Sequence, residues 1–311
     1  MSFQRTLLAY ELLDNPAADG ETVSESIREL GVGRVEVKRV EGDKGETDFI
    51  KILIPGSRGK TRAGKAPTLG ILGQLGGVGA RPEQIGLVSD GDGAVAAVAS
   101  ALKLARMASL GDILPGDVII TTHICPDAPV RPHDPVPFMN SPVDMATMNR
   151  HLLDTGMDAV LSIDTTKGNR ILCQRGFAIT PTVKEGYILR VSEDLLDIMS
   201  ITTGRSPVVL AITTQDITPY GNGIFHLNSI LQPATATSAA CVGVAITTET
   251  IVPGCSSGAT HLVDIDSVVR FVIEVAKAFG NWKCSFYDKE EYQRLVQIYG
   301  SLKHLQTLGE S

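Results

Sequence analysis

Cysteine is sparse in this 311-residue chain and follows no pattern: Cys125, Cys173, Cys241, Cys255 and Cys284 are odd in number, scattered and without Cys-x-x-Cys spacing. That excludes a disulfide framework or a thiolate zinc cluster as a reading of the sequence. Long hydrophobic runs are also missing. No stretch approaches the ~18 consecutive apolar residues of a membrane span. The opening residues lack the charged start, apolar middle and small-residue cleavage site of a signal peptide. A cytoplasmic protein with no membrane partner is the expectation. Positive charge is short as well, with a formal net charge of -7, whereas a phosphate-tracking surface needs clustered Lys and Arg. Nucleic acid is therefore not an expected partner. The one basic cluster, SRGKTRAGK at 57–65, reads as a solvated loop after a strand or as a contact for an anionic ligand.

What the chain does have is material for a core. With 43% hydrophobic residues and no internal repeat, low-complexity tract or linker, it reads as a single α/β domain over 1–311. TLLAYELLDNPAADGETVSESIRELG gives two helices separated by Asn-Pro and Asp-Gly punctuation. RVEVKRVEG and TDFIKILIPG read as adjacent strands, and PTLGILGQLGG as a third. From Gly93 on, Val95, Val98, Leu102 and Ala105 recur at helical spacing, one face against a sheet. LPGDVIITTHI is a buried strand, followed by a proline-rich loop over 125–142 that supplies few regular hydrogen bonds. A helix near Met145–Leu153 leads to the strand DAVLSIDTT. The segments SPVVLAITT and CVGVAITTE read as later strands, with a turn and helix in PYGNGIFHLNSIL between them. DSVVRFVIEVAKAFG is a long helix burying Val268, Val272, Val275 and Phe279. Strands alternating with helices predict a three-layer α/β fold, with helices on both faces of a mainly parallel mixed sheet.

Ligand sites in such sheets gather at the carboxyl ends of the strands. By that rule the chemistry-bearing candidates are Gln74 after LGILG, Asp90 and Asp92 in the turn SDGDG before a helix, His123 after VIITT, Asp164 after AVLSI, Asp216 after LAITTQ, and His226 near a helix start. Asp90 and Asp92 have a simpler alternative, since a helix N-terminus favours carboxylates as caps. His123 and Cys125, two apart on one strand, pose a thiol nucleophile with a nearby base. The Asp-Gly-Asp-Gly turn lacks the distal Glu of a calcium loop, and GQLGGVGA lacks the Lys and Ser/Thr of a phosphate loop.

The order of elements, from ETVSESIRELGVGRVEVKRVEG through DGDGAVAAVASALKLARM, LPGDVIITT and DAVLSIDTT to ATHLVDIDSVVRFVIEVAKAF, resembles the domain-of-unknown-function 1177 family and, distantly, the di-zinc exopeptidases. The latter resemblance implies a zinc-exopeptidase-like fold and a homo-oligomer. The short stretch from Gln74 to Asp90 leaves no room for an inserted lid or dimerisation domain, which takes on the order of 50 residues. The resemblance places Asp90 at the bridging metal ligand and Asp164 at the later carboxylate. Three other positions depart from it. Gln74 stands near the first His, HICPDAP has no Glu where a Glu pair is due, and His261 is displaced from the final His. A rebuilt centre is expected instead: Asp90, His123 and Asp164 holding zinc or manganese, Asp127 or Asp92 handling protons, and Gln74, Asp216 and His226 contacting substrate. The function so implied is a peptidase- or amidohydrolase-like enzyme acting on a small peptide or N-acyl molecule. The alternative is a catalytically silent relative that binds such molecules or assembles.

Overall fold

Two helices open the chain in the computed structural model, which describes residues 1–74, 77–134, 136–218, 224, 230–252 and 256–307. They are α1 (Ser2–Asp14) and α2 (Gly20–Arg28), the latter capped by the Asp19 carboxylate accepting from Thr22 N at 2.8 Å. The hairpin β1 (Arg34–Gly42) and β2 (Gly45–Ile54) follows, then β3 (Leu69–Gly73), α3 (Asp92–Ser109) and β4 (Val118–Ile124). The proline-rich loop folds back as the short pair β5 (Val130–Arg131) and β6 (Phe138–Met139). After α4 (Met145–Leu152) come β7 (Ala159–Thr165), β8 (Gly176–Ile179), β9 (Val183–Lys184), β10 (Tyr187–Ile188) and α5 (Glu193–Thr203). The chain then forms β11 (Ala240–Thr247), α6 (Leu262–Gly280) and α7 (Lys289–Tyr299).

The sheet runs β1-β2-β4-β3-β7-β11-β9-β10, with β8 also on β11. Its four central strands, β4, β3, β7 and β11, are parallel, and the flanking pairs are antiparallel. It is therefore a mixed sheet with a parallel centre. Alternation along the strands splits the core into two layers. Leu69, Ile71, Ile120, Leu161, Ile163 and Val244 face α1, α3 and α6, whereas Leu72, Ile119, Val160 and Ala245 face α4 and Leu210, Ile217, Ile230, Leu231 and Ala234. Helix α3 is buried on nearly every side, between the sheet and α1 and α6. Its run of alanines lets backbone approach on both faces where larger side chains would hold the layers apart. The expected faces of α3 and α6 are buried as read, with Phe279 half-buried.

One expected strand is not formed. SPVVLAITT makes a single bridge, Val209 to Ile179, and then turns away into the 3-10 turn Thr214–Ile217. The turn is closed locally by Thr213 and Asp216, a side chain–backbone bonding pattern that competes with strand pairing. Nearly all of PYGNGIFHLNSIL lies outside the described residues. Among the described residues no helix is long and apolar enough to cross a membrane.

Candidate functional site

The chain leaves β3 for β4 on one side, crossing by α3, and then reaches β7 on the other side, crossing by α4 on the opposite face. Strand order therefore reverses at β3, and in such sheets the ligand crevice lies beyond the carboxyl ends of the strands at the reversal, here β4, β3 and β7. His123 is near the end of β4 and Asp164 near the end of β7. Gln74 directly follows β3, and its N–H continues the ladder to Ile163 O at 2.7 Å. Register puts Leu72 opposite Thr121 and Ser162, so Gln74 is level with His123 and Asp164, on the face of Leu72 and Val160. Strands are about 4.8 Å apart, so the three form a row with Gln74 in the middle. All three are buried.

His123 is held from the β2 side. Its Nδ1 is 2.8 Å from Thr47 Oγ1, and that hydroxyl donates to Ile124 O at 3.1 Å. A hydroxyl has one proton, so toward the ring Thr47 accepts; Nδ1 carries the hydrogen and Nε2 presents a lone pair. Full burial lowers the ring's pKa to about 4, and it is neutral at neutral pH. Phe49 packs beside it with ring centroids 5.5 Å apart. No partner among the described residues reaches His123 Nε2 or Gln74 Nε2. Those two atoms are a buried acceptor and a buried donor at neighbouring positions of one row.

The turn before α3 lies over the same strand ends. A Cβ on Gly93 would fall 2.8 Å from Ile163 O and 2.9 Å from Gln74 O, so only glycine lets the helix start this close. Ser89 O accepts from Thr165 Oγ1 at 2.7 Å, and Ser89 N donates to Ser257 O at 2.8 Å, pinning Asp90 in the buried turn. Asp92 makes no capping bond to the helix backbone. Its Oδ2 accepts from Lys167 Nζ at 2.5 Å and its Oδ1 from Thr260 Oγ1 at 2.7 Å. Burial raises the carboxyl's pKa, while Lys167 and Thr260 pull it down. Lys167 is itself buried, three residues after Asp164. The sequence reading missed it, although a lysine directly following a strand end, in DTTKG, was the available signal.

The other candidates lie elsewhere or have local roles. Asp127 is exposed on a turn whose backbone bridges to Ala80. Asp216 Oδ2 accepts from Thr213 N at 2.6 Å as the cap of its own 3-10 turn, and its Oδ1 has no partner among the described residues. His226 lies outside the described residues. Cys125 Sγ donates to Glu46 O at 3.3 Å, and burial pushes the thiol up to about 11, the reverse of what a thiolate nucleophile requires. Asp164 Oδ1 accepts from Thr165 N at 2.7 Å. As for a metal, His123 Nε2 has the chemistry of a ligand, but among the described residues no three His, Cys, Asp or Glu side chains converge into a metal-holding group. The described donors thus do not fit a three-ligand centre built on Asp90, His123 and Asp164.

Among solved structures, a tomato leucine aminopeptidase mutant aligns at 11% identity and a TM-score of 0.48, over 87% of this chain and 61% of that one. The chain thus spans less than two thirds of that neighbour's length. No curated protein matches. The family model described as Protein of unknown function (DUF1177) matches residues 38–309, and the chain belongs to that family.

Proposed function

We propose that the protein binds a small peptide or N-acyl molecule in the crevice beyond β4, β3 and β7. One observation carries this reading: His123 Nε2, a lone-pair acceptor, and Gln74 Nε2, a donor, are buried, unpartnered among the described residues and neighbours in one row. An amide group offers the complement, one N–H and one C=O. Each orphaned polar atom costs roughly 1–3 kcal/mol while unmatched, and a bound amide restores both bonds at once. The buried Asp92–Lys167–Thr260 network braces these strand ends, since it fixes the start of α3 to the segment after β7.

Hydrolysis of the same amide is the second reading, favoured by the bare Nε2 and by Asp164 in the same row. Titration calorimetry with a panel of dipeptides and N-acetyl amino acids on untagged protein separates the readings, run beside metal analysis of protein purified without chelator. Saturable binding, weakened at least tenfold in both Gln74→Leu and His123→Leu, supports the binding protein. Stoichiometric zinc or manganese that is lost in Asp90→Ala and His123→Ala, together with turnover of the panel, replaces it with the hydrolase. Binding that is indifferent to Gln74→Leu and His123→Leu overturns both.

A further inference from the structure

A separate cavity of about 390 Å³ lies on the α6 side of the sheet, between the end of α5, the start of α6 and β8. Its apolar lining comes from Phe177, which packs on Phe271 with centroids 5.0 Å apart, and from Met199 and Val208. Arg175, Arg205 and Arg270 line it too. Local backbone sets two of these. Arg205 directly follows Gly204, the left-handed residue that ends α5 at φ +67°, and Arg175 precedes Gly176 at φ +94°. Arg270 is engaged with Asp266 at 3.3 Å and Thr202 O at 3.2 Å. The guanidinium groups of Arg175 and Arg205 have no hydrogen-bond or ion-pair partner among the described residues. The one lining carboxylate, Asp264, is 3.4 Å from His261 Nδ1.

Three like charges around one hollow repel each other, and two of them lack a counter-charge. A protein with net charge -7 has carboxylates to spare, yet the hollow receives a single one. Guanidinium groups recognise carboxylate and phosphate oxygens in pairs. A volume of this size accepts a small molecule, and the partly buried Val208 and exposed Val263, over a floor of Phe177 and Met199, give an apolar body a surface that a bare ion does not need. We infer that this cavity is a second binding site, for a small organic anion consisting of an apolar body ending in a carboxylate or phosphate, held by Arg175 and Arg205. It is independent of the crevice beyond β4, β3 and β7.

Calorimetry on the full chain at low salt tests this with phenyl phosphate, phenylacetate, inorganic phosphate and the neutral 2-phenylethanol, which has no amide. The expected result is saturable binding of at least one aromatic anion at or below roughly 1 mM. 2-Phenylethanol and inorganic phosphate should each bind about tenfold more weakly, and the tighter of the two aromatic anions identifies the head group. Both arginines are exposed, so the double variant Arg175→Gln/Arg205→Gln should fold normally and lose at least tenfold in affinity. Arg190→Gln, remote and paired with Glu291, should bind as the parent does. Absence of saturation by either aromatic anion overturns the proposal. So does binding that survives in the double variant, or inorganic phosphate binding as tightly as phenyl phosphate.

Discussion

The two ends of the parallel strands use similar side chains and treat them differently. At the amino end, Asp117 precedes β4 and accepts from Gly56 N at 2.8 Å, Thr61 N at 2.9 Å and Thr61 Oγ1 at 2.7 Å. Asp158 precedes β7 and accepts from Thr68 N at 2.7 Å and Lys60 Nζ at 2.8 Å. Asp154 pairs with Lys51 and accepts from Gly156 N. Among the described residues the Thr68 hydroxyl is the buried polar atom left over there. At the carboxyl end the buried row contains two atoms of opposite hydrogen-bonding sense with no described partner. A surface that only joins loops to strands saturates its polar groups, because each unmet bond costs stability. On the proposed reading, the open donor and acceptor at the carboxyl end are matched when an amide binds.

The largest effect should come from the saturated end. Asp117→Ala strands three donors at once, and urea unfolding should show a loss of about 4 kcal/mol. Pocket ligands should then bind as before, provided the variant is assayed below its transition. A loss under about 1 kcal/mol would mean that water replaces the carboxylate easily, and the contrast between the ends would dissolve.

Much of this contrast was legible in the sequence. The α/β alternation, the helices with their buried faces and the strand-end positions of Gln74, His123 and Asp164 follow from periodicity and the carboxyl-end rule. The strand expected in SPVVLAITT was not formed, since apolar composition cannot register that Thr213 and Asp216 bond locally instead. Nor could the sequence show that Asp92 meets Lys167 and Thr260, partners 75 and 168 residues away. Separations of that kind are set by topology, whereas motif reading sees only what is near. The orphaned Nε2 of His123 is likewise a property of Thr47 on the neighbouring strand, which fixes the ring from the other side.

The next effect sharpens the comparison through pH. His123 titrates near 6.5 when unfolded and at about 4 when buried. Above pH 6.5 neither state binds the proton and the contribution to stability is whole. As pH falls from 6.5 toward 4 only the unfolded chain takes it up, so stability declines, and below 4 this group costs nothing further. The span corresponds to about 3 kcal/mol. Denaturant titrations of the parent and of His123→Leu across that window should differ in slope, with the variant flatter. Equal slopes would show that the ring is hydrated in solution, and its Nε2 would no longer count as a buried acceptor.

The smallest effect is the most discriminating. Gln74→Leu removes a buried donor that has no described partner and keeps most of the side chain's volume, so the folded state loses no bond and sheds a desolvated amide. Stability should change by less than about 1 kcal/mol, and upward if at all. Set beside Asp117→Ala, a near-neutral Gln74→Leu that nonetheless abolishes binding of peptides or N-acyl amino acids separates folding from recognition at opposite ends of the same strands. A loss of more than about 2 kcal/mol in thermal or urea unfolding would instead show that Gln74 is a structural residue with bonds of its own. The carboxyl end of the sheet would then be saturated like the amino end, and the crevice would have no unmet chemistry to offer a ligand.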